Sequence, residues 1–509
     1  MLVTDVLARN VVSRGSHAFL LHEGRKVSYR EFDRLANAAA NALLALGVGK
    51  GDRVSVALGN CVEYLALAFG VFKAGGILHP LPVGIDPREL TAMLAHAEPR
   101  VLIAHAADVE HLRAGDITVP AATTLAAVGL PGSAGAAAAD AGIVALDALL
   151  TEAPKRRPPL RLAADDPALL VFTAGTTGPP KGVLLSHAGV GGQHLVEALR
   201  IACDDVILAV TPLSHQSAWD AVQTALHAGG TFAFPRAFRI EDLWLLVHQT
   251  GATVLYAPGS VLGMLLARKQ SFLERTNRLR VILGLGSATI RDEIMARFHV
   301  QHVADCFGST DAGVVTITPV GAPPRPRSCG PPASGVRLRI VGHDGAELPP
   351  RAVGEIAAHS PYRVAEYFRD PDTTGHALRD GWFFTGDLGY LDEDGWLYFV
   401  DRKQDAIRRG GDIISSVLIE RTLLGHPKVA EVAVIGVPDT DVGEEVKAFV
   451  VATEPVTEEE LRTFAEERLA RFQVPRYWEF CATLPRTSAQ RVAKHTLRSE
   501  VARASAPSG

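Results

Sequence analysis

Only five cysteines occur in 509 residues, Cys61, Cys203, Cys306, Cys329 and Cys481, and no two have CxxC spacing. That excludes a zinc ribbon or a dithiol redox motif, and an odd, scattered set suits a reducing compartment. Basic residues are not in excess: Lys+Arg 51 against Asp+Glu 56 leaves a net charge of -5. No nucleic-acid partner held by bulk electrostatics is expected. No run of 18 apolar residues exists; the most apolar stretch, Tyr64 to Phe72, carries small residues and ends at Lys73, which reads as a buried helix. The start, MLVTDVLARN, lacks a basic region followed by an apolar core, so the expectation is a cytoplasmic protein with no signal peptide and no membrane anchor. An internal repeat and a Walker A loop, GxxxxGK[ST], are also missing.

What is present is ample for folding. The chain is 47% hydrophobic and 21% charged, and its length requires at least two domains. Ser28 reads as an N-cap with Glu31 as its capping-box partner, opening a helix that Gly47 stops. Arg53 to Leu58 reads as a strand, Cys61 to Lys73 as a helix and 101–104 as a buried strand, an α/β rhythm with a largely parallel sheet. Residues 121 to 160 are rich in Ala and Gly and read as a loose surface loop. The rhythm resumes at Ala168. From 336 alternating strands (VRLRIV, GEIAAHS, GWLYFV) with HDG and EDG turns indicate a small β-rich subdomain. After the polar stretch 401–412 come a helix at 415–424, strands at 429–437 and 445–453 and a helix at 457–471, an αββα module; the residues from Glu500 onward read as frayed.

The segment with the clearest chemistry is LLVFTAGTTGPPKGVLLSH, residues 169–187. Two apolar strands bracket a loop of glycines and hydroxyls. Gly175 and Gly178 let backbone N–H groups converge on an anion; Thr173, Thr176 and Thr177 add hydroxyl donors, and Lys181 a point charge. The pattern is that of a triphosphate site.

This loop resembles the phosphate loop of the acyl-adenylate-forming superfamily, which includes acyl-CoA synthetases, peptide-synthetase adenylation domains and luciferases. Further segments resemble the family's motifs in order: TPLSH at 211–215, CFGSTDAG at 306–313, FTGDLG at 384–389, DRKQDAIRRGGDIISSVLIE at 401–420 and LPRTSAQRVAK at 484–494. The resemblance spans about residues 25 to 498. It implies an α/β fold with a large N-terminal domain of mixed sheets, 1–402, and a small mobile α+β domain, 403–509, that rotates about a hinge at Gln404 between two half-reactions.

The resemblance also implies roles. Lys181, Thr310 and Arg491 are the catalytic candidates, and Asp311 the magnesium-facing carboxylate. The nucleotide would be held by Thr173, Gly175, Thr176, Thr177, Gly178, Ser287, Ala288, Cys306, Gly308, Ser309, Thr310 and Phe399, with Phe307 stacking on adenine and Asp387 and Arg402 on the ribose hydroxyls. His215, Trp219, Leu285, Gly286 and Val314 would line the acyl pocket, and Gly410 and Gly411 the thiol tunnel. A core role for Trp219 and a core-facing Leu285 stay open alternatives. The implied cofactors are ATP, Mg2+ and coenzyme A, and the implied partner a small-molecule acid; a carrier protein as acceptor, an amine acceptor or an inorganic acid stay open, as does a degenerate nucleotide-binding homologue. Monomer and homodimer are both open.

Three positions depart from the family. Arg491 stands where a lysine is usual, and a guanidinium is not interchangeable with an ammonium. Ala174 removes a hydroxyl from the phosphate loop, and Leu285 sits where a small residue is common. Lys494 follows three residues after Arg491. No carboxylate lies between Pro212 and Trp219, which weighs against an α-amino acid; Asp220 is the next residue.

Overall fold

In the computed structural model of the protein, residues 2–113, 117–130, 142–173, 181–323, 325–410, 412–486 and 492–504 are described. They form two compact units. One takes the chain up to Thr173, then Lys181–Leu338 and Ala358–Phe383; the other takes Arg339–Ala357 and the chain from Phe384 onward.

Among the described residues the larger unit contains two large sheets. The first runs His302–Ala304, Val281–Leu283, Val254–Tyr256, Val206–Ala209, Thr231–Ala233, Ala18–His22 and Arg25–Ser28, parallel until the last pair. The second runs Glu366–Tyr367, Lys181–Ser186, Pro167–Thr173, Ile77–Pro80, Arg53–Ala57, Val101–His105, Thr124–Val128 and Val144–Ala145. It is parallel except for the two pairs at the Glu366 end. The largely parallel α/β reading therefore describes this unit.

Ser28 is the N-cap expected, while the Glu31 carboxylate accepts from Arg25 at 3.4 Å instead of completing a capping box. Ser28 accepts a hydrogen bond from the Glu31 N–H at 3.2 Å and starts the helix Tyr29–Ala45. The helix Val62–Lys73 is buried at every position but Glu63, which is exposed. Its buried charge, Lys73, is held by Asp33 Oδ1 at 2.5 Å and Asn37 Oδ1 at 2.6 Å, which offsets the cost of burying an ammonium.

The loose-loop reading of 121–160 needs correction on both sides of 131–141, which lie outside the described residues. Thr124–Val128 is a strand in register with Val101–His105, and Leu146–Glu152 is a helix. Ala126 and Ala127 are fully buried, so small side chains here serve close packing at a sheet edge, and low charge was a sign of burial as much as of a loop.

In the smaller unit, Gly443–Ala452 pairs antiparallel with Val429–Asp439 and parallel with Tyr477–Phe480; a hairpin of Ile407–Arg409 and Asp412–Ile414 joins at Gly443. Helices Ser416–Leu424 and Glu458–Glu466 cover it around Ile419, Leu423, Leu461 and Ala465. The αββα reading missed the hairpin and the third long-sheet partner. The last helix, Lys494–Ala504, is anchored by Leu497, which is 2% exposed and packs with Ile435 and Leu484; the frayed-end reading is corrected for 500–504, which are helical, and its remainder, 505–509, lies outside the described residues.

Candidate active site

The phosphate-loop candidates Gly175, Thr176, Thr177 and Gly178, with Ala174, lie outside the described residues, as do Gly411 and Arg491. The strands on either side of the loop are described. They pair antiparallel, which sets Thr173 opposite Lys181 at the loop's base. Lys181 is exposed, with Nζ 5.7 Å from the centre of the Tyr367 ring. The Tyr367 hydroxyl is raised above the usual phenol range, first by burial and then by the Asp311 carboxylate beside it. Lys181, Tyr367 and Asp311 are thus gathered in one place. The Asp311 carbonyl accepts from the Val364 N–H at 2.6 Å and fixes the turn to the segment before Tyr367.

The motif at 306–313 is a β-hairpin rather than a capped helix. Cys306–Ser309 pairs with Gly313–Ile317, and the Ser309 hydroxyl accepts from the Ala312 N–H at 3.1 Å, closing the turn that carries Thr310 and Asp311. Gly308 is required by packing: a Cβ there would lie 2.3 Å from the Gly313 carbonyl. Phe307 is 7% exposed and Cys306 buried. Val314 is opposite Gly308 in the hairpin.

Asp305, which the motif reading passed over, organises a second wall. Its carboxylate accepts from the backbone N–H groups of Gly286 (2.8 Å), Ser287 (3.1 Å) and Ala288 (3.1 Å). Burial pushes this carboxyl up to about 6 against those hydrogen bonds. The signal was legible: an acidic residue directly after the apolar strand His302–Ala304 has to find donors if it is to be buried. Leu285, in the same turn, is 51% exposed, which removes the core-facing alternative.

His215 caps the helix Gln216–Ala228, its Nδ1 accepting from the Ser217 N–H at 3.3 Å. Trp219 is fully buried against Phe69 and Phe72, with ring centroids 6.4 and 5.7 Å away, so the core role replaces the gating one.

In the smaller unit, Asp387 and Arg402 are directly opposed in an antiparallel pair, and Phe399 opposes Gly389. Asp387 lies within a continuous strand, Trp382–Leu391, rather than after a tight turn; the kink is local, with Gly386 at φ +72° and the Asp387 N–H donating to Thr385 Oγ1 at 3.1 Å. Gln404 is exposed in the turn that follows. Gly410, at φ +59°, starts the hairpin turn after Arg409.

A cavity of about 700 Å³ lies elsewhere in the larger unit, lined by Arg34, Leu35, Leu67 and Leu150; no candidate residue borders it. Among the described residues no three His, Cys, Asp or Glu side chains gather to hold a metal alone. A single carboxylate such as Asp311 is nevertheless the donor set that magnesium takes together with phosphate oxygens. No described helix is long and apolar enough to cross a membrane.

Comparison with known proteins agrees with this geometry. Residues 7–368 match the model of the AMP-binding enzyme family, and residues 418–491 that of the AMP-binding enzyme C-terminal domain. The chain belongs to the AMP-binding enzyme family. This AMP-binding enzyme is 32% identical over 493 residues to the crotonobetaine/carnitine–CoA ligase of Escherichia coli O8, covering 93% of both chains. It is similar to ATP-bound MatB from Rhodopseudomonas palustris, with TM-score 0.84, 28% identity and 98% and 99% of the chains covered. It is also similar to the o-succinylbenzoate CoA synthetase MenE from Bacillus subtilis in complex with its acyl-adenylate, with TM-score 0.83, 25% identity and 97% of each chain covered.

Proposed function

We propose that the protein is an ATP-dependent acid–thiol ligase. A carboxylate oxygen attacks the α-phosphorus of ATP, pyrophosphate leaves, and acyl-AMP forms. A thiol, which we take to be coenzyme A, then attacks the acyl carbon, giving a thioester and AMP. The likeness to CoA ligases along nearly the whole chain is the observation that carries this reading.

The roles follow from charge and position. Lys181, opposite Thr173 at the loop's base, would neutralise the departing phosphates. Thr310 and Asp311, at the hairpin tip beside Tyr367, would hold the α-phosphate side. Magnesium, when bound, neutralises phosphate charge, and Asp311 is the residue to hold it. Asp387 and Arg402, being cross-strand neighbours, offer an acceptor and donors suited to two ribose hydroxyls. Arg491 would bring positive charge to the transferring phosphorus. Positioning and electrostatics then supply most of the acceleration.

We place the boundary between the catalytic body and the moving part at 402/403, with Gln404 as hinge. The five thiols, all free, support a reducing, cytoplasmic location. Exchange of labelled pyrophosphate into ATP, screened over aliphatic, aryl, amino and inorganic acids, tests the first step. Adding coenzyme A or a phosphopantetheinyl carrier protein tests the second. Acid-dependent exchange followed by thioester formation on coenzyme A is expected. A thioester formed only on the carrier would replace the acceptor, and exchange with no acid at all would overturn the reading.

A further inference from the structure

The helix Gln216–Ala228 is buried along most of its length, chiefly through small residues such as Ala218, Ala221 and Ala225. One stripe of it is polar. Gln216, Asp220 and Gln223 recur at i, i+4 and i+7 and therefore share a face. Gln223 is 1% exposed, and neither its amide oxygen nor its nitrogen has a hydrogen-bond partner among the described residues. Gln216 donates from Nε2 to Asp220 Oδ1 at 3.1 Å while its own Oε1 is buried without a partner. That bond from Gln216 is the one hydrogen bond to the Asp220 carboxylate among the described residues. Asp220 keeps some accessible surface although protein surrounds it, as a residue in a pocket wall does.

The neighbouring helix, Gln193–Leu199, adds to this wall. Gly192, at its N-terminus, is pressed against Gln223, where a Cβ would lie 2.8 Å from the Gln223 Cβ. His194 is 3% exposed, stacks on Tyr362 with centroids 3.9 Å apart, and has no partner for either ring nitrogen among the described residues. Tyr362 in turn abuts Gly313, whose added Cβ would meet the Tyr362 carbonyl at 2.7 Å. The Cys306 thiol and the Tyr256 hydroxyl are raised chiefly by burial, and the Asp220 charge adds to both, after that of Asp305 at Cys306. Tyr256 ends a strand of the parallel sheet, and ligands of such sheets collect at the carboxyl ends of the strands.

A buried polar group without a partner has lost its hydration with nothing in return, and folded proteins keep few of them. Apolar residues on this stripe would pack at no such cost. Their concentration on facing helices next to the hairpin 306–317 is what the wall of a polar pocket presents. A hydrocarbon chain has nothing to offer the Asp220 carboxylate and the amide oxygens of Gln216 and Gln223, whereas a cationic donor suits all three; the Gln223 nitrogen is left for an acceptor of the ligand or for water. Cys306 begins the strand Cys306–Ser309, and Thr310 lies in the turn at its other end. Asp220, whose charge reaches Cys306, therefore stands toward the end of the hairpin away from Thr310 and Asp311.

We propose that this stripe is the far wall of the acyl pocket and that the acid activated here carries an ammonium group at the end away from its carboxylate, received by Asp220 with Gln216 and Gln223. The assignment rests on the reading of the protein as an acid-adenylating enzyme. Burial pushes the Asp220 carboxyl up to about 7, so a cation placed beside it is what keeps it ionised.

The test uses non-reacting acyl-adenylate mimics, N-acylsulfamoyladenosines, in pairs of equal length: 5-aminopentanoyl with hexanoyl, 6-aminohexanoyl with heptanoyl, 7-aminoheptanoyl with octanoyl. Calorimetric Kd values are measured on the full-length wild type and on Asp220→Asn. In at least one pair the amine is expected to bind the wild type about tenfold more tightly or better, and Asp220→Asn to bring that pair within about threefold. Methyl-ended mimics that match or beat their amine twins at every length overturn the inference and leave adenylation standing. A preference that survives Asp220→Asn overturns the part given to Asp220. Absence of binding by all six mimics overturns the adenylation reading itself, and the inference with it.

Discussion

Lys494 Nζ lies 2.6 Å from Glu420 Oε1 and donates to Ser416 Oγ at 2.8 Å, while Ser416 donates in turn to Asp401 Oδ2 at 2.7 Å. The lysine that ends the last motif is thus engaged inside its own unit. Both members of the ion pair are mostly buried, with side chains 13% and 17% exposed. Burial raises the Glu420 carboxyl and Lys494 opposes that rise. Lys494 is therefore part of the packing of its own unit.

Replacing Lys494 by Met strands a buried carboxylate, and such breaks cost about 3 kcal/mol. Chemical denaturation should show that loss for Lys494→Met, and Glu420→Gln in the same chain should restore part of it. Pyrophosphate exchange below both unfolding transitions should fall by no more than about threefold. A loss of exchange by orders of magnitude with stability unchanged would reverse the assignment.

The facing of Asp387 and Arg402 across two strands predicts a separation of effects. Asp387→Asn keeps the backbone N–H that donates to Thr385 and removes only the charge. The KM for ATP should rise about tenfold, as expected for a lost charge-assisted hydrogen bond. The KM for the acid and the unfolding temperature should not move. Steady-state kinetics varying each substrate in turn decides it.

Much of this was legible in the chain, for reasons that differ by residue. Ser28 capping Tyr29–Ala45 is a local contact, so local sequence predicts it. The buried helix at Val62–Lys73 announces itself by composition. The strand pair around Thr173 and Lys181 is marked by two apolar runs and a glycine-rich interval. Trp219 was ambiguous, because an aromatic at a pocket edge and one in a core look alike until Phe69 and Phe72 are placed beside it. The polar stripe of Gln216, Asp220 and Gln223 was hidden, because a helix with polar residues at i, i+4 and i+7 reads as having one solvated face. Only the burial of that face shows that something else must meet it. The Asp305 bracket and the Lys494–Glu420 pair join residues 17 or more positions apart, beyond any local pattern.

Asp220 also carries a prediction about pH. Its carboxyl is raised from 3.8 to about 7 by burial, with only the Gln216 hydrogen bond opposing the rise. The neighbouring Cys306 thiol and Tyr256 hydroxyl are both raised as well and stay neutral over that range. A carboxyl whose folded value exceeds its unfolded value binds the proton more tightly when folded. Its contribution to stability therefore falls as pH rises from about 4 to about 7 and is constant above. Asp220→Asn removes that dependence. Differential scanning calorimetry without ligand should find the variant close to the parent at pH 4 and more stable at pH 8. A variant less stable than the parent at pH 8 would show that the carboxylate has a partner that stabilises the fold.

Arg491 takes the position in the last motif at which the family resemblance leads to the expectation of lysine; Lys494 is paired with Glu420 and Arg486 with Glu431, and we propose Arg491 as the cation that acts on the α-phosphorus. A charge that acts on the transition state lowers the barrier without tightening the ground-state complex. Arg491→Ala should therefore cut kcat for adenylation by about 100-fold or more and leave the Kd for ATP within about threefold. Arg491→Lys separates two designs. A site that needs only positive charge should recover most of the rate, whereas one built around the guanidinium fork should lose nearly as much as the alanine variant. Pre-steady-state quench of AMP-ester formation, with ATP binding measured alongside on the same preparations, distinguishes these cases, and equal adenylation rates in Arg491→Ala and the parent would remove Arg491 from the reaction.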